Sequence, residues 1–278
     1  LVCCGAYLIN QAGARIGTEI RPWEVASIPD LEQCIIACPI LLGYVLLQKR
    51  HYVRVGGLDH ALQVHEDWDL FLQLLLSGVS FAWNKAILCE YRVHPGSVQH
   101  DALASVDAIE RLIEKALTDP RVPASVSGRA AEIRLHHAVD MMGRCFGAGA
   151  HDMAMARLTW ALAHDPRLGD ERSGRVLQAL VDGVQWGATL NPYERLVAAL
   201  GAIAPQVDIA KREQRAALAV AAQRGFYVSW SLKRYRSVLR SFLRAAWRAP
   251  KWLANRGTWS ILLRSAWQLV RSELRSAL

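Results

Sequence analysis

The sequence predicts an α/β region followed by an all-α region. Up to residue 100, short apolar runs bounded by turn residues alternate with helical patterns, whereas from residue 101 onward apolar residues recur every three or four positions. The 278 residues, 52% of them hydrophobic and 21% charged, are enough to bury a core without disulfides or a structural metal. We therefore expect a mixed region over residues 1–100, a helical region over 101–210 and a basic, Trp-rich helical tail over 211–278.

The mixed region opens with a predicted β-hairpin. An apolar run with β-branched members covers residues 2–9, and a turn signal containing Asn10 and Gly13 follows it. Asp30 is a candidate helix N-cap, and Pro39 ends the helix that begins after it. The remaining predictions are strands over 15–20, 41–47, 79–83 and 87–91, a short helix over 50–55 that ends at Gly56 and Gly57, and a buried helix over 66–77 that Gly78 closes.

The region from residue 101 to 210 is predicted to be helical throughout. The helices predicted over residues 132–146 and 151–164 form a helical hairpin. In its second helix and the turn after it, Ala154, Ala161 and Pro166 have the spacing of a tetratricopeptide repeat. Because stacked arrays need at least three repeats, we expect this single hairpin to be a packing unit rather than a peptide-binding solenoid. The expected helices cover residues 101–117, 132–146, 151–164, 174–184 and 192–203.

The tail over residues 211–278 carries the positive charge of the chain. It holds 15 Lys and Arg residues and two acids, a net charge of +13, while residues 1–210 carry −5. Five of the ten tryptophans also lie in it. On a helical wheel, Leu239 and Phe242 belong to an apolar stripe, and Arg240 and Arg244 to a basic stripe opposite. We expect an anionic membrane surface as partner and no nucleic acid, because a continuous apolar face suits lipid better than a duplex.

The sequence contains no apolar run long enough to cross a bilayer. The longest, over residues 39–47, falls short of the approximately 20 residues that a spanning helix needs. The six scattered cysteines show no CxxC spacing, so reduced thiols in a cytosol are expected. These observations favour a cytoplasmic protein, peripheral at the inner face of the cytoplasmic membrane. The alternative for the tail is that its apolar stripes pack on the helical region.

Three carboxylates stand within four positions at a predicted loop-to-helix junction: Glu66, Asp67 and Asp69. Acids in the first turn of a helix are stabilised by its dipole, so a capping role accounts for an isolated cluster of this kind. An ionised carboxylate at the mouth of a buried helix is also what a general base requires. The residue types alone leave both interpretations open. Trp68, between the acids, is by the same reasoning a core residue or a platform for a ligand.

The order of three motifs favours the catalytic interpretation. The loop GGLD at residues 56–59 precedes the helix start EDWDL at 66–70 and the strand end YRVHPGS at 91–97. This order and spacing resemble the C-terminal half of the catalytic domain of family 2 glycosyltransferases, which have the A-type nucleotide-sugar fold. The resemblance covers residues 1–99 of the 278. It implies an α/β fragment of such a domain, in which the first nucleotide-binding units would lie upstream of Leu1.

The resemblance implies roles for individual residues. Asp67 matches the catalytic base, which takes the proton of an acceptor hydroxyl as that oxygen attacks the anomeric carbon with inversion. Glu66 matches a hydrogen-bonding partner of acceptor or sugar hydroxyls, and His94 a position that contacts the metal or the diphosphate. A divalent metal, Mg²⁺ or Mn²⁺, is expected only together with the family's Asp-x-Asp, which belongs upstream. The substrate-binding candidates are Gly56, Gly57, Asp59, Trp68 and Arg92.

We therefore expect a fragment of an inverting glycosyltransferase of hexosyltransferase type. It would move a sugar from a nucleotide-sugar donor to a hydroxyl of a lipid- or polysaccharide-linked acceptor in cell-envelope glycan synthesis. One departure from the family pattern is Gln73, which stands where an Arg is common. Without the upstream units, the chain by itself is expected to be incomplete and inactive. The alternative is a non-catalytic helical adaptor that carries a degenerate remnant of such an enzyme and binds a partner protein through residues 101–210.

Overall fold

The computed structural model describes residues 1–24, 30–40, 42–93, 102–184, 192–231 and 233–277. The chain divides into two compact units, Leu1–His137 and Ala138–Leu278, and the division falls within one long helix. The first unit holds a small mixed sheet with helices, and the described part of the second unit is helical. An α/β region followed by helices is therefore confirmed at this level. The boundaries predicted at residues 100 and 210 stay predictions.

The first unit is built from four strands and a series of helices in its described residues. Two 3₁₀ turns, Pro22–Glu24 and Leu42–Tyr44, lie between them. The strands are β1 (Val2–Ile9), β2 (Arg15–Ile20), β3 (Val45–Leu46) and β4 (Ala82–Arg92), and the helices are α1 (Leu31–Ile36), α2 (Lys49–Arg54), α3 (Glu66–Leu76), α4 (Ala102–Leu117), α5 (Ala124–Ser127) and the start of α6 (Ala130–Ala148).

The second unit continues from α6 through six further described helices. 3₁₀ turns at Pro166–Gly169 and Pro250–Ala254 connect neighbouring helices. None of the helices that the structure describes combines the length and the apolarity needed to cross a bilayer. The helices are α7 (His151–His164), α8 (Ser173–Gly183), α9 (Pro192–Ile203), α10 (Lys211–Ser231), α11 (Tyr235–Arg248) and α12 (Arg256–Ala277).

Strand β1 is the centre of the sheet. Its carboxyl-terminal half pairs antiparallel with β2, its first residues pair antiparallel with β3, and β4 runs parallel along it. Cys3 and Ala6 on β1 are fully buried, as a strand with neighbours on both edges requires. The β1–β2 turn has the predicted form: the Asn10 side chain accepts from two backbone N–H groups, and Gly13 has a positive φ of 83°. The predicted hairpin is confirmed.

Two strand predictions are wrong in detail. Residues 42–44 form a 3₁₀ turn rather than part of a buried strand, and only Val45–Leu46 pairs with β1, with Leu46 78% exposed. The strands predicted over 79–83 and 87–91 are one continuous strand, β4. The polar residues Asn84 and Lys85 interrupt the apolar pattern there, but the ladder to β1 takes them up in a register shift and continues.

Helix α3 forms the apolar core of the first unit, as its sequence predicts. Leu70, Phe71, Leu72 and Leu74 are fully buried, so the helix is covered on almost every side. Its end is set by Gly78, which has a φ of 77° and donates its N–H to the Leu75 carbonyl. The first turn of α3, which carries the three acids, is thereby anchored to a rigid core element.

Glycines bring the backbones of α6 and α8 into contact in the second unit. A Cβ on Gly143 would overlap the carbonyl of Ala179, and one on Gly147 would overlap the carbonyl of Gly183. The four positions form two small-x-x-x-small pairs that face each other, an arrangement that allows close helix packing. Gly147 lies between the helices predicted over residues 132–146 and 151–164. In the structure this packing keeps it inside α6, which runs to Ala148.

We expect Gly183→Ala to lower the free energy of unfolding by about 2 kcal/mol or more, because its methyl group would overlap the Gly143 carbonyl. Gly201→Ala is the matched control: this glycine lies inside α9 with nothing near its Cβ position, so the free energy of unfolding should rise by about 0.5–1 kcal/mol. Urea unfolding followed by circular dichroism measures both. Equal effects of the two substitutions would contradict a close α6–α8 contact.

Candidate functional site

The candidate site is the start of α3, where the chain turns sharply from a loop into the helix. His65, directly before α3, adopts a left-handed conformation with a φ of 62°. Its Nε2 forms a 2.7 Å hydrogen bond with Oγ of Ser105 on α4, and its carbonyl accepts from the Asp69 N–H at 3.1 Å. A non-glycine residue keeps such a conformation where its surroundings hold it. The acids that follow therefore have a defined position.

The Asp67 carboxylate is held by backbone N–H groups. The N–H of Trp68 donates to one oxygen at 2.8 Å and the N–H of Leu42 to the other at 3.4 Å. Within the described part of the chain, no Lys or Arg pairs with this carboxylate. Burial raises the pKa of Asp67 above its ordinary value, and the two N–H donors oppose that rise. The result is a half-buried carboxylate with increased proton affinity.

Lys115 on α4 joins the other two aspartates of the motifs. Its ammonium lies 2.7 Å from an Asp59 oxygen and 2.9 Å from an Asp69 oxygen. Asp69 is buried, so the lysine supplies the counter-charge that a buried carboxylate needs. Burial opposes the charge of the lysine, but the hydrogen bonds to both carboxylates raise its pKa overall. The loop before α3, the first turn of α3 and α4 are thus held at one point.

Asp59, a predicted substrate-binding residue, has structural contacts on both of its oxygens. One oxygen accepts from the N–H of Ala61 at 3.0 Å, and the other binds Lys115. The hydrogen bond to Lys115, followed by that to Ala61, lowers the pKa of Asp59. These contacts keep Asp59 ionised and account for its place in the motif without a ligand.

Trp68 lies in the core of the first unit. Its indole N–H donates to the carbonyl of Cys34 at 2.5 Å, which ties α3 to α1. Its ring centroid lies 5.7 Å from that of His65 and 6.3 Å from that of His137. The Nε2 of His137 in turn bonds the Ile35 carbonyl at 2.8 Å. Of the two interpretations open for Trp68, the contacts match the core residue.

Gly56 and Gly57 end helix α2. Both have positive φ angles, 86° and 76°, and their N–H groups donate to the carbonyls of Val53 and Tyr52. This is a common way to end a helix, because only glycine adopts such angles without strain. A Cβ on Gly57 would also touch the ring of Tyr52. The termination of α2 therefore explains both glycines of the GGLD motif.

The strand-end motif is described only in part. Arg92 lies at the end of β4, and its guanidinium donates to the carbonyls of Asn10 at 3.0 Å and Gln11 at 2.9 Å. It therefore braces the β1–β2 turn. His94, the expected metal contact, and residues 95–97 lie outside the described residues. Glu66 is half-buried beside Asp67 at the mouth of α3.

Lys115 and Arg121 are the residues that sequence reasoning missed. Arg121 donates to the side chain of Gln73 at 2.5 Å. Gln73 stands at the position where the family that the motifs resemble commonly has an Arg. Lys115 lies 56 residues from Asp59 and 46 from Asp69 along the chain. Lys115 is one charged residue near the end of an amphipathic helix, and Arg121 is one in the turn that follows it, so neither carries a local signal for these contacts.

The described residues around Asp67 do not fit a divalent metal by themselves. No group of three or more His, Cys, Asp or Glu side chains in the described ranges could hold a metal ion. The expected Mg²⁺ or Mn²⁺ depends on an upstream Asp-x-Asp and on His94, neither of which the structure describes. The metal therefore stays a prediction, and no chemical step is assigned to it below.

The comparisons with known proteins add no relative from which a role could be taken. No protein-family model, curated protein or solved structure matches this chain. The glycosyltransferase resemblance consequently rests on the three motifs alone and stays a prediction.

We expect Lys115→Met to lower the free energy of unfolding by about 3 kcal/mol, because it leaves the buried Asp69 carboxylate without a cation. Arg111→Met is the matched control on the same helix: its ion pair with Asp107 is exposed, so the loss should stay below about 0.5 kcal/mol. Adding Asp69→Leu to Lys115→Met should restore part of the stability. Denaturant unfolding measures all three, and a loss from Lys115→Met as small as that from Arg111→Met would contradict the network.

We expect Asp67→Asn to keep or increase the free energy of unfolding at pH 7. Because the pKa of Asp67 is raised on folding from 3.8, the folded state binds more protons than the unfolded state, and this group's contribution to stability falls as the pH rises through its folded pKa. The advantage of Asp67→Asn should therefore vanish near pH 3. Asp59→Asn is the opposite control, since the pKa of Asp59 is lowered and its charge stabilises the fold at pH 7. Urea titrations at several pH values test both signs.

Proposed function

We propose that this chain supplies the catalytic base of an inverting glycosyltransferase of the family 2 type. The observation that carries the proposal is the Asp67 carboxylate, which is half-buried, held by two N–H groups and raised in pKa. A base with increased proton affinity accepts a hydroxyl proton more readily, and such a pKa is typical of catalytic carboxylates. Asp59 and Asp69 share the ammonium of Lys115, so Asp67 and Glu66 are the carboxylates of the junction left for chemistry.

The proposed step is a single displacement at the anomeric carbon of the donor sugar. Asp67 takes the proton of an acceptor hydroxyl while that oxygen forms a bond to the anomeric carbon. The bond from this carbon to the diphosphate oxygen breaks, the nucleoside diphosphate leaves with the electron pair, and the configuration is inverted. Glu66, next to Asp67, would hold acceptor or sugar hydroxyls by hydrogen bonds.

The proposed partners are a nucleotide-sugar donor and a lipid- or polysaccharide-linked glycan acceptor. With such an acceptor, we propose that the protein is peripheral at the inner face of the cytoplasmic membrane. The basic tail over residues 211–278 supports this location, because each Lys or Arg near an anionic leaflet contributes about 1 kcal/mol to binding. An intracellular site also accords with the six free cysteines.

A non-catalytic adaptor is the second candidate. The specific observation in its favour is that Gly57, Asp59, Trp68 and Asp69 all have structural contacts that need no substrate. An adaptor would keep these contacts for folding and bind a partner protein through the helices that follow. The two candidates differ in what they require of Asp67, because its unpaired, half-buried charge serves a base and brings no benefit to a purely structural role.

We expect Asp67→Asn to lower the rate of nucleoside diphosphate release by about 10²–10⁴-fold, since the amide cannot accept the proton. The assay uses the complete product of the reading frame that contains this chain, a panel of nucleotide sugars with Mg²⁺ or Mn²⁺, and lipid and polysaccharide extracts as acceptors. Asp107→Asn, an exposed carboxylate on α4, is the control and should leave the rate unchanged. Sugar transfer that continues at the wild-type rate in Asp67→Asn excludes the proposed base, and no transfer from any donor favours the adaptor.

A further inference from the structure

Helices α11 and α12 bury several small side chains, while some of their large apolar side chains are exposed. The buried line of α11 consists of Val238, Ser241 and Ala245, and α12 buries Thr258 and Ser265. Soluble amphipathic helices normally bury their largest apolar residues. Small residues at helix contacts and large ones outside are instead the pattern of helices that face lipid.

Four large apolar side chains on the outer faces are strongly exposed. Leu243 and Trp247 on α11 are 68% and 86% exposed, and Leu263 and Trp267 on α12 are 67% and 63% exposed. Within each helix the two residues are four positions apart, so they lie on one face. We call these two exposed pairs, one on each helix, the outer apolar face. It differs from the predicted apolar stripe of Leu239 and Phe242, which is rotated relative to it.

Phe242 accounts for this difference. Its ring lies 6.2 Å from that of Phe226, 6.0 Å from that of Trp252 and 5.6 Å from that of Trp259, measured between centroids. This internal cluster draws the predicted stripe toward the core of the second unit. Trp247 and Trp267 belong to no ring contact among the described residues, and so they are available outside.

The predicted basic stripe of α11 is divided between two roles. The guanidinium of Arg244 pairs with Glu194 at 3.1 Å and lies 4.5 Å from the ring centroid of Tyr193, and that of Arg248 lies 4.9 Å from the same ring. These two arginines hold α11 against α9. Arg240 lies farther from the same carboxylate, with 4.0 Å between its guanidinium and Glu194. Its side chain is exposed, and it shares the face of Leu243 and Trp247.

The helices that carry the outer apolar face are strongly basic in sequence. Residues 235–277 contain nine Lys and Arg residues and one acid. Exposed examples next to the face are Arg240 on α11 and Arg264 on α12, three positions before Trp267. A second copy of the same face would bring like charges together, whereas an anionic surface would neutralise them.

We propose that the outer apolar face of α11 and α12 docks on the surface of an anionic lipid bilayer. Tryptophan prefers the membrane–water interface, because its ring is apolar and its N–H is polar. The two helices would lie in the plane of the interface, with the four apolar side chains among the headgroups and upper acyl chains and the arginines against anionic phosphates. The proposal concerns binding alone, so it stands or falls separately from the glycosyltransferase activity.

Flotation of the full chain with vesicles tests the proposal. Vesicles of phosphatidylcholine with 30% phosphatidylglycerol should bind the protein, and pure phosphatidylcholine vesicles should bind it at least tenfold more weakly. Trp247→Ser with Trp267→Ser should reduce binding to the anionic vesicles by tenfold or more. Because both side chains are largely exposed, the circular dichroism of this variant should not change. Val220→Ser, an exposed apolar residue on α10, is the control and should bind like wild type.

The electrostatic part is tested with Arg240→Gln and Arg264→Gln. Each removed charge should weaken binding about fivefold, and 0.5 M NaCl should weaken wild-type binding. Lys49→Gln with Arg50→Gln removes the same charge from exposed positions on α2 and should have no effect. Equal binding to neutral and anionic vesicles, or unchanged binding of the tryptophan variant, would overturn the proposal. The proposal would also be overturned if the protein did not bind vesicles but formed a dimer in sedimentation experiments, and the tryptophan substitutions abolished that dimer.

Discussion

The two hydrogen bonds of Lys115 position the acidic motif. Asp59 belongs to the loop after α2, Asp69 to the first turn of α3 and Lys115 to the end of α4, so a single ammonium joins three segments that are far apart in sequence. An unpaired carboxylate as buried as Asp69 would be costly, and the fold therefore depends on all three segments meeting at this point. In the sequence Asp67 lies between Asp59 and Asp69, so the contacts of these two residues with Lys115 also fix the position of Asp67.

Pairing two of the aspartates also makes the third chemically distinct. If Asp67 had its own cation, its pKa would be held low and the carboxylate would be a weak base. Backbone N–H groups of Leu42 and Trp68 orient it while they supply only partial charges, so burial can still raise its pKa. The same arrangement lowers the free energy of unfolding at neutral pH, because the ionised Asp67 carboxylate is partly buried without a cation. A cost of this kind is common where a residue is positioned for chemistry rather than for folding.

Local patterns in the sequence predicted the elements that local interactions determine. The β1–β2 turn, the Asp30 N-cap and the Gly78 helix end were all predictable, because each depends on residues within about five positions. The pairing of Lys115 was not, because its partners are 46 and 56 residues away. The continuity of β4 was hidden for a similar reason, since the ladder to β1 overrides the polar pair in its middle. The cluster of Glu66, Asp67 and Asp69 was visible in the sequence. Only the structure shows that Asp69 is the member that pairs with Lys115.

Helix contacts in the second unit illustrate why a helical wheel alone misplaced the outer apolar face. A wheel assigns the larger apolar stripe to the core, which assumes that burial is driven by large side chains. Here small residues make the closest contact between α6 and α8, through Gly143 and Gly183, and Ser241 and Ala245 are buried on α11 beside the ring cluster of Phe242. Where small residues bring helices together, the helices leave little room between them for large side chains. Trp247 and Trp267 lie outside the ring cluster of Phe242 and are exposed, and the basic residues of their helices favour an anionic surface as the one that would cover them.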